Sequence, residues 1–160
     1  MFNPRKEVPS LELCKKLKEI SYPQDKYGFY WVRLKGSLVN ENEWDLIYWD
    51  EEYIRWDERG KYILLGGCDC CADYLDIIEK IKAPTVRELI EILPDKIEFD
   101  KKDYYLCMTK DCIGYNRIIV GDLGAIDMFC NEKDIANRIA KALIWLAENG
   151  YVNFSKNKLN

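Results

Sequence analysis

Apolar positions along this chain alternate between two periods, and the changes of period divide it into helices and strands. After Pro9-Ser10, Leu11, Cys14, Leu17 and Lys18 fall near one face while Glu12, Lys15, Lys16 and Glu19 face water, which predicts a helix. Ser21-Tyr22-Pro23 ends it. Residues 27–34 are aromatic and β-branched and predict a strand. Residues 44–49 predict a second, 53–56 a short third and 62–65 a fourth, with Arg59-Gly60 as a hairpin signal. Asp73 then caps a predicted helix running through Leu75, Ile77, Ile78 and Ile81 and ending before Ala83-Pro84.

The second half opens on a predicted helix over 85–93, with Val86, Leu89, Ile90 and Leu93 on one stripe and Pro94-Asp95 as its stop. Residues 96–99 read as extended, 103–109 and 114–120 as strands, Gly121-Asp122-Leu123-Gly124 as a turn, and 125–129 as a last strand. Asn131 caps the longest helix, with Glu132 and Asp134 in its first turn and an inward stripe of Ile135, Ile139, Ala142, Leu143 and Leu146. Asn149-Gly150 ends it, and the polar tail 155–160 is expected to fray.

An offset of 75 residues places Pro9 on Pro84, Asp25 on Asp100, Lys26 on Lys101 and Tyr30 on Tyr105. The expected class is therefore α+β: antiparallel sheet with helices packed on one face, within a single domain over 1–160. The offset adds the expectation of an internally duplicated α-β-β-β-α unit, with halves 8–82 and 83–152. If the halves share a sheet, their seam is a natural place for a ligand.

Composition narrows the chemistry. The chain of 160 residues is long enough to bury a core without disulfides, and 48% apolar with 32% charged residues is ordinary for a folded protein. A net charge of −4 argues against general nucleic-acid binding. There is no histidine, which removes the commonest general base, the usual nucleophilic triads and every histidine-containing metal site. Seven cysteines, an opening MFNPRKEVPS without an apolar core, and the lack of any long apolar run predict reduced thiols, a cytoplasmic location and no membrane partner. No phosphate-loop, dinucleotide, nucleophile-elbow or zinc-protease motif occurs, so an enzyme is the least supported class.

Three groups carry candidate chemistry. Cys68, Cys70 and Cys71 sit in a C-x-C-C cluster that suits zinc, with Cys107 and Cys112 as further thiols, against the plainer reading of small buried side chains. Residues 41–58 hold eight carboxylates against the single base Arg55, interleaved with rings. Trp49, Glu51, Glu52, Tyr53 and Trp56 there form a candidate interaction surface for a protein partner, or else a half-buried strand pair with rings inward. Tyr30, Trp31 and Arg33 on one strand, with Tyr115 and Arg117 on another, offer rings beside guanidinium groups for a nucleotide-like ligand. The competing reading is ordinary sheet packing with surface arginines.

VPSLELCKKLKEISYPQ followed by FYWV, APTVRELIEILPDKI, and IANRIAKALIWLAENGYV together resemble small proteins encoded by phages and prophages of gut bacteria. The resemblance transfers no catalytic residue. It implies an accessory or counter-defence protein that binds a host protein or sequesters a nucleotide-derived immune signal, with homo-oligomerisation open. Binding, not catalysis, is the expected function.

Overall fold

The computed structural model describes residues 3–24, 27–36, 40–49, 54–57, 60–64, 74–119, 122–128 and 132–154. Among them the chain forms α1 (Leu11–Glu19), β1 (Gly28–Lys35), β2 (Trp44–Trp49), β3 (Ile54–Asp57), β4 (Gly60–Leu64) and β5 (Tyr74–Lys82). There follow α2 (Val86–Ile90), β6 (Lys96–Phe99), β7 (Lys102–Met108), β8 (Ile113–Ile119), β9 (Asp122–Met128) and α3 (Ile135–Glu148). The class is α+β with antiparallel sheets. No helix among the described residues is long and apolar enough to cross a membrane.

The chain divides into two compact units: Met1–Pro23 with Pro84–Asn160, and Gln24–Ala83 between them. In the first, β6-β7-β8-β9 form a meander in sequence order. Ile97, Ile113 and Tyr115 are buried from one face of it, in a cluster with Leu13 and Leu17 of α1, Leu89 of α2, and Ile139, Leu143 and Leu146 of α3. The other face carries the exposed Glu98, Asp103 and Tyr105, so helices cover one side only.

Local chemistry fixes the helix ends. Thr85 and Glu88 form a reciprocal capping box on α2. α1 and α3 close with the same bond pair. Tyr22 N–H donates to the Leu17 carbonyl and Ser21 N–H to Lys18; Tyr151 N–H donates to Leu146 and Gly150 N–H to Ala147. The left-handed residue is Gly150 in α3 (φ 79°) but Ser21 in α1 (φ 68°). Asp134, not Asn131, caps α3, its side chain accepting from Asn137 N–H; Asn131 lies outside the described residues. Ile139, Ala142, Leu143 and Leu146 are buried as expected, whereas Ile135 is 42% exposed. It belongs to the first turn, ahead of the packed stretch.

The Gln24–Ala83 unit is a five-stranded sheet in the order β2-β1-β5-β4-β3. Here the sequence reading is corrected: the segment expected as a helix from Asp73 is strand β5, inserted between β1 and β4. A β-bulge explains the misleading spacing. Arg33 pairs with Glu79 and Leu34 with Ile77, leaving Ile78 as the extra residue. Ile77 therefore shares the face of Leu34 and Ile81 that of Trp31, so isoleucines spaced like one helical stripe lie on opposite faces of a strand. With no helix closing that half among the described residues, and with strands in two sheets of different order, the structure does not show the α-β-β-β-α duplication.

A second correction concerns Asp122 to Gly124. They belong to β9 and pair with Ile119, Ile118 and Arg117 instead of forming a turn. Glycine serves a packing purpose at 124: a Cβ there would lie 3.0 Å from the Tyr104 hydroxyl oxygen and 3.1 Å from its Cε1.

Candidate functional site

The candidate site lies on the β1–β2 half of the Gln24–Ala83 sheet. Alternation divides its side chains between two faces. On one, Tyr30, Val32 and Leu34 of β1 and Trp49 of β2 form a small buried cluster, joined by Ile47 and Ile77. The Tyr30 and Trp49 rings lie 5.8 Å apart at 58°. The Lys80 ammonium stands 3.9 Å from the Trp49 ring centroid and 4.7 Å from that of Tyr30. Both distances fit cation–π attraction, which holds a charge against an otherwise apolar patch. Lys82 is 3% exposed and places its ammonium 5.3 Å from the Tyr30 ring while donating to the Tyr27 carbonyl at 2.6 Å. Tyr30 is 1% exposed, and its hydroxyl donates to the Gln24 carbonyl at 2.8 Å.

On the opposite face stand Phe29, Trp31 and Arg33 of β1 with Trp44, Leu46 and Tyr48 of β2. Trp31 is buried. The Arg33 guanidinium lies 5.8 Å from the Trp44 ring and 3.4 Å from the Glu79 carboxylate, across the ladder. Tyr48 is 56% exposed, and its ring meets Phe29 edge-to-face at 5.2 Å. Asp45 is exposed on the other face, and Glu41 and Glu43 are exposed in the segment that leads into β2.

The five residues expected to hold a nucleotide-like ligand are thus divided between the units. Tyr30, Trp31 and Arg33 lie on β1, Tyr115 and Arg117 on β8. Adjacent residues face opposite ways, so Tyr30 and Arg33 do not share a face. Tyr115 is fully buried, and its hydroxyl donates to the Pro94 carbonyl at 2.7 Å. Burial raises its pKa above the ordinary tyrosine value. Arg117 is half-buried, paired in register with Gly124.

Of the expected interaction surface, Trp49 faces the buried cluster, consistent with rings turned inward at that position. The Trp56 backbone is in β3, while Glu51, Glu52 and Tyr53 lie outside the described residues, as do Cys68, Cys70 and Cys71. Cys14 and Cys107 are thiols and Cys112 is disulfide-bonded, which departs from the expectation of uniformly reduced cysteines. Among the described residues no cluster of three Cys, Asp or Glu side chains is poised to hold a metal ion.

Sequence reasoning missed Tyr48, Lys80 and Lys82. Tyr48 stands among the rings of WDLIYW, and alternation there separates it from Trp49 without saying which of the two faces out. The two lysines lie in the segment with helical spacing, and only strand β5 brings them beside Tyr30. No protein-family model, curated protein or solved structure matches the chain.

Proposed function

We propose that this chain is a non-catalytic binding protein that docks a protein partner along the acidic, aromatic edge of its Gln24–Ala83 sheet. One observation carries the reading: among the described residues β2 is an edge strand that holds Tyr48 out of the core, its ring braced on Phe29, in a segment whose carboxylates at 41, 43 and 45 are exposed. Residues 40–49 contain Glu41, Glu43 and Asp45 and no lysine or arginine. A braced, exposed ring costs little rotamer entropy on binding, which suits an interface hot spot. The surrounding negative charge favours a basic partner and speeds its encounter.

The resemblance to phage and prophage proteins supports an accessory role, with a host protein as the target. Capture of a nucleotide-like signal draws less support from the geometry. Tyr30 and Tyr115 have buried rings, and Arg33 is already placed between Trp44 and Glu79.

The test compares proteins retained from a bacterial lysate by immobilised wild type, Tyr48→Ala and the double variant Glu43→Lys/Asp45→Lys. All three residues are exposed, so the variants should keep the wild-type circular dichroism. A set of basic proteins retained by wild type and lost from both variants supports the reading. Identical retention by all three chains removes it.

A further inference from the structure

We infer that the partner joins β2 as an added strand, through an extended segment that alternates apolar and basic residues. This inference rests on the docking role proposed for β2. Among the described residues β2 pairs with β1 alone and stands at the end of its sheet, so alternate residues direct backbone N–H and C=O groups away from β1.

Edge strands are commonly blunted by lysine, proline, a bulge or very short length. β2 shows none of these. Its sequence WDLIYW runs for six residues without lysine or proline. Its register with β1 is unbroken from Gly28↔Trp49 to Arg33↔Trp44, in contrast to the bulged β1–β5 ladder on the other side. Among the described residues β2 is a regular edge whose one charge is Asp45, and a regular edge is what strand addition requires.

Side-chain alternation then sets the chemistry of the incoming segment. One face of β2 presents Trp44, Leu46 and the exposed Tyr48, so the guest residues on that side are apolar. The other presents Asp45, Ile47 and Trp49, of which Asp45 is the exposed member. A guest lysine or arginine beside Asp45 makes a favourable cross-strand pair. A second copy of this chain would lay one acidic strand, with Glu41, Glu43 and Asp45 and no base in 40–49, along another, and like charge disfavours that seam. The occupant is therefore a basic segment of another protein.

The probe is a fluorescent eight-residue peptide alternating Val and Lys, and its twin N-methylated at every backbone nitrogen. The twin keeps the side chains and charge but loses the ladder donors. Binding to the full chain is followed by polarisation. The inference predicts binding of the parent, a loss of about tenfold or more on N-methylation, and a comparable loss with Asp45→Lys. It also predicts slowed amide exchange within β2 in the complex.

Equal binding of both peptides, with Asp45→Lys and Tyr48→Ala weakening each, overturns strand addition and leaves side-chain docking in place. Failure of the parent to bind also overturns strand addition, and the lysate comparison then decides the docking role separately. Dimerisation of wild type that Tyr48→Ala abolishes would show a second copy as the occupant and overturn the basic-segment assignment.

Discussion

The two units solve the same burial problem in opposite ways. In the unit formed by Met1–Pro23 and Pro84–Asn160, strands follow one another as a meander and helices cover one face. Each neighbour in the sheet is also a neighbour in sequence. In Gln24–Ala83, β5 returns across more than forty residues to lie between β1 and β4, as in the pairing Arg33↔Glu79. The described core there is small, and it sets the Lys80 ammonium against the Tyr30 and Trp49 rings. A sheet finished by polar and aromatic groups retains chemistry at its edge, whereas a sheet finished by aliphatic helices has spent its apolar face on packing.

The largest expected effects test the two cores directly. Leu143→Ala removes a fully buried side chain from the helix-covered cluster and should destabilise its unit by roughly 3 kcal/mol. Trp49→Ala should cost its own unit a similar amount, roughly 3 kcal/mol, because packing and the seat of Lys80 are lost together. Amide exchange assigns each loss to β8 or β1. A small loss for Trp49→Ala would show that the ring–lysine cluster is no core, and the contrast would fail.

Next in size is Gly124→Ala. The added methyl meets the Tyr104 ring, and an expected cost of about 1–2 kcal/mol should appear in the denaturation midpoint. Removing the hydroxyl in Gly124→Ala/Tyr104→Phe should recover part of it.

The paired helix ends provide an internal control within the helix-covered unit. Gly150→Ser should cost about 1 kcal/mol, and Ser21→Gly should stabilise by about 0.5–1 kcal/mol, since both positions are left-handed. Opposite shifts in melting temperature check the pair.

The smallest effect concerns acid. The Glu132 carboxylate accepts from the Lys141 ammonium, and this bond holds its pKa below the ordinary value of 4.5. A lowered folded pKa means that the contribution is present above pH 4.5 and is lost as pH falls through the folded value. Glu132→Gln should lower stability by about 0.5 kcal/mol at neutral pH, because the pair is partly exposed. It should also flatten the acid limb of the stability profile.

Much of the helix-covered unit was legible in advance because its signals are local. Pro9-Ser10, Pro84-Thr85 and Asn149-Gly150 each mark a helix end by signals that act within a few residues, although Ser10 makes no side-chain capping bond. Strand β2 was predicted with the bounds it has, since WDLIYW has neither proline nor glycine to blur them. The candidate site was less legible. Tyr30 and Arg33 were correctly placed on a strand, but which face each takes and what already occupies it depended on β2 and β5. Tyr48, the ring left outside, stood within the acidic aromatic stretch and carried no mark of its own.

By itself, the sequence determined the class: amphipathic periods and caps select helices, and aromatic and β-branched runs select strands. Tertiary structure decided which strands meet. A bulge at Ile78 made β5 look helical, and only insertion between β1 and β4 supplies the two ladders that hold it extended. Tertiary structure likewise decided that Trp49 goes in and Tyr48 stays out: both faces of the β1–β2 ladder carry buried side chains, Tyr30 on one and Trp31 on the other, so the packing at each position, not the face alone, decides which ring stays wet.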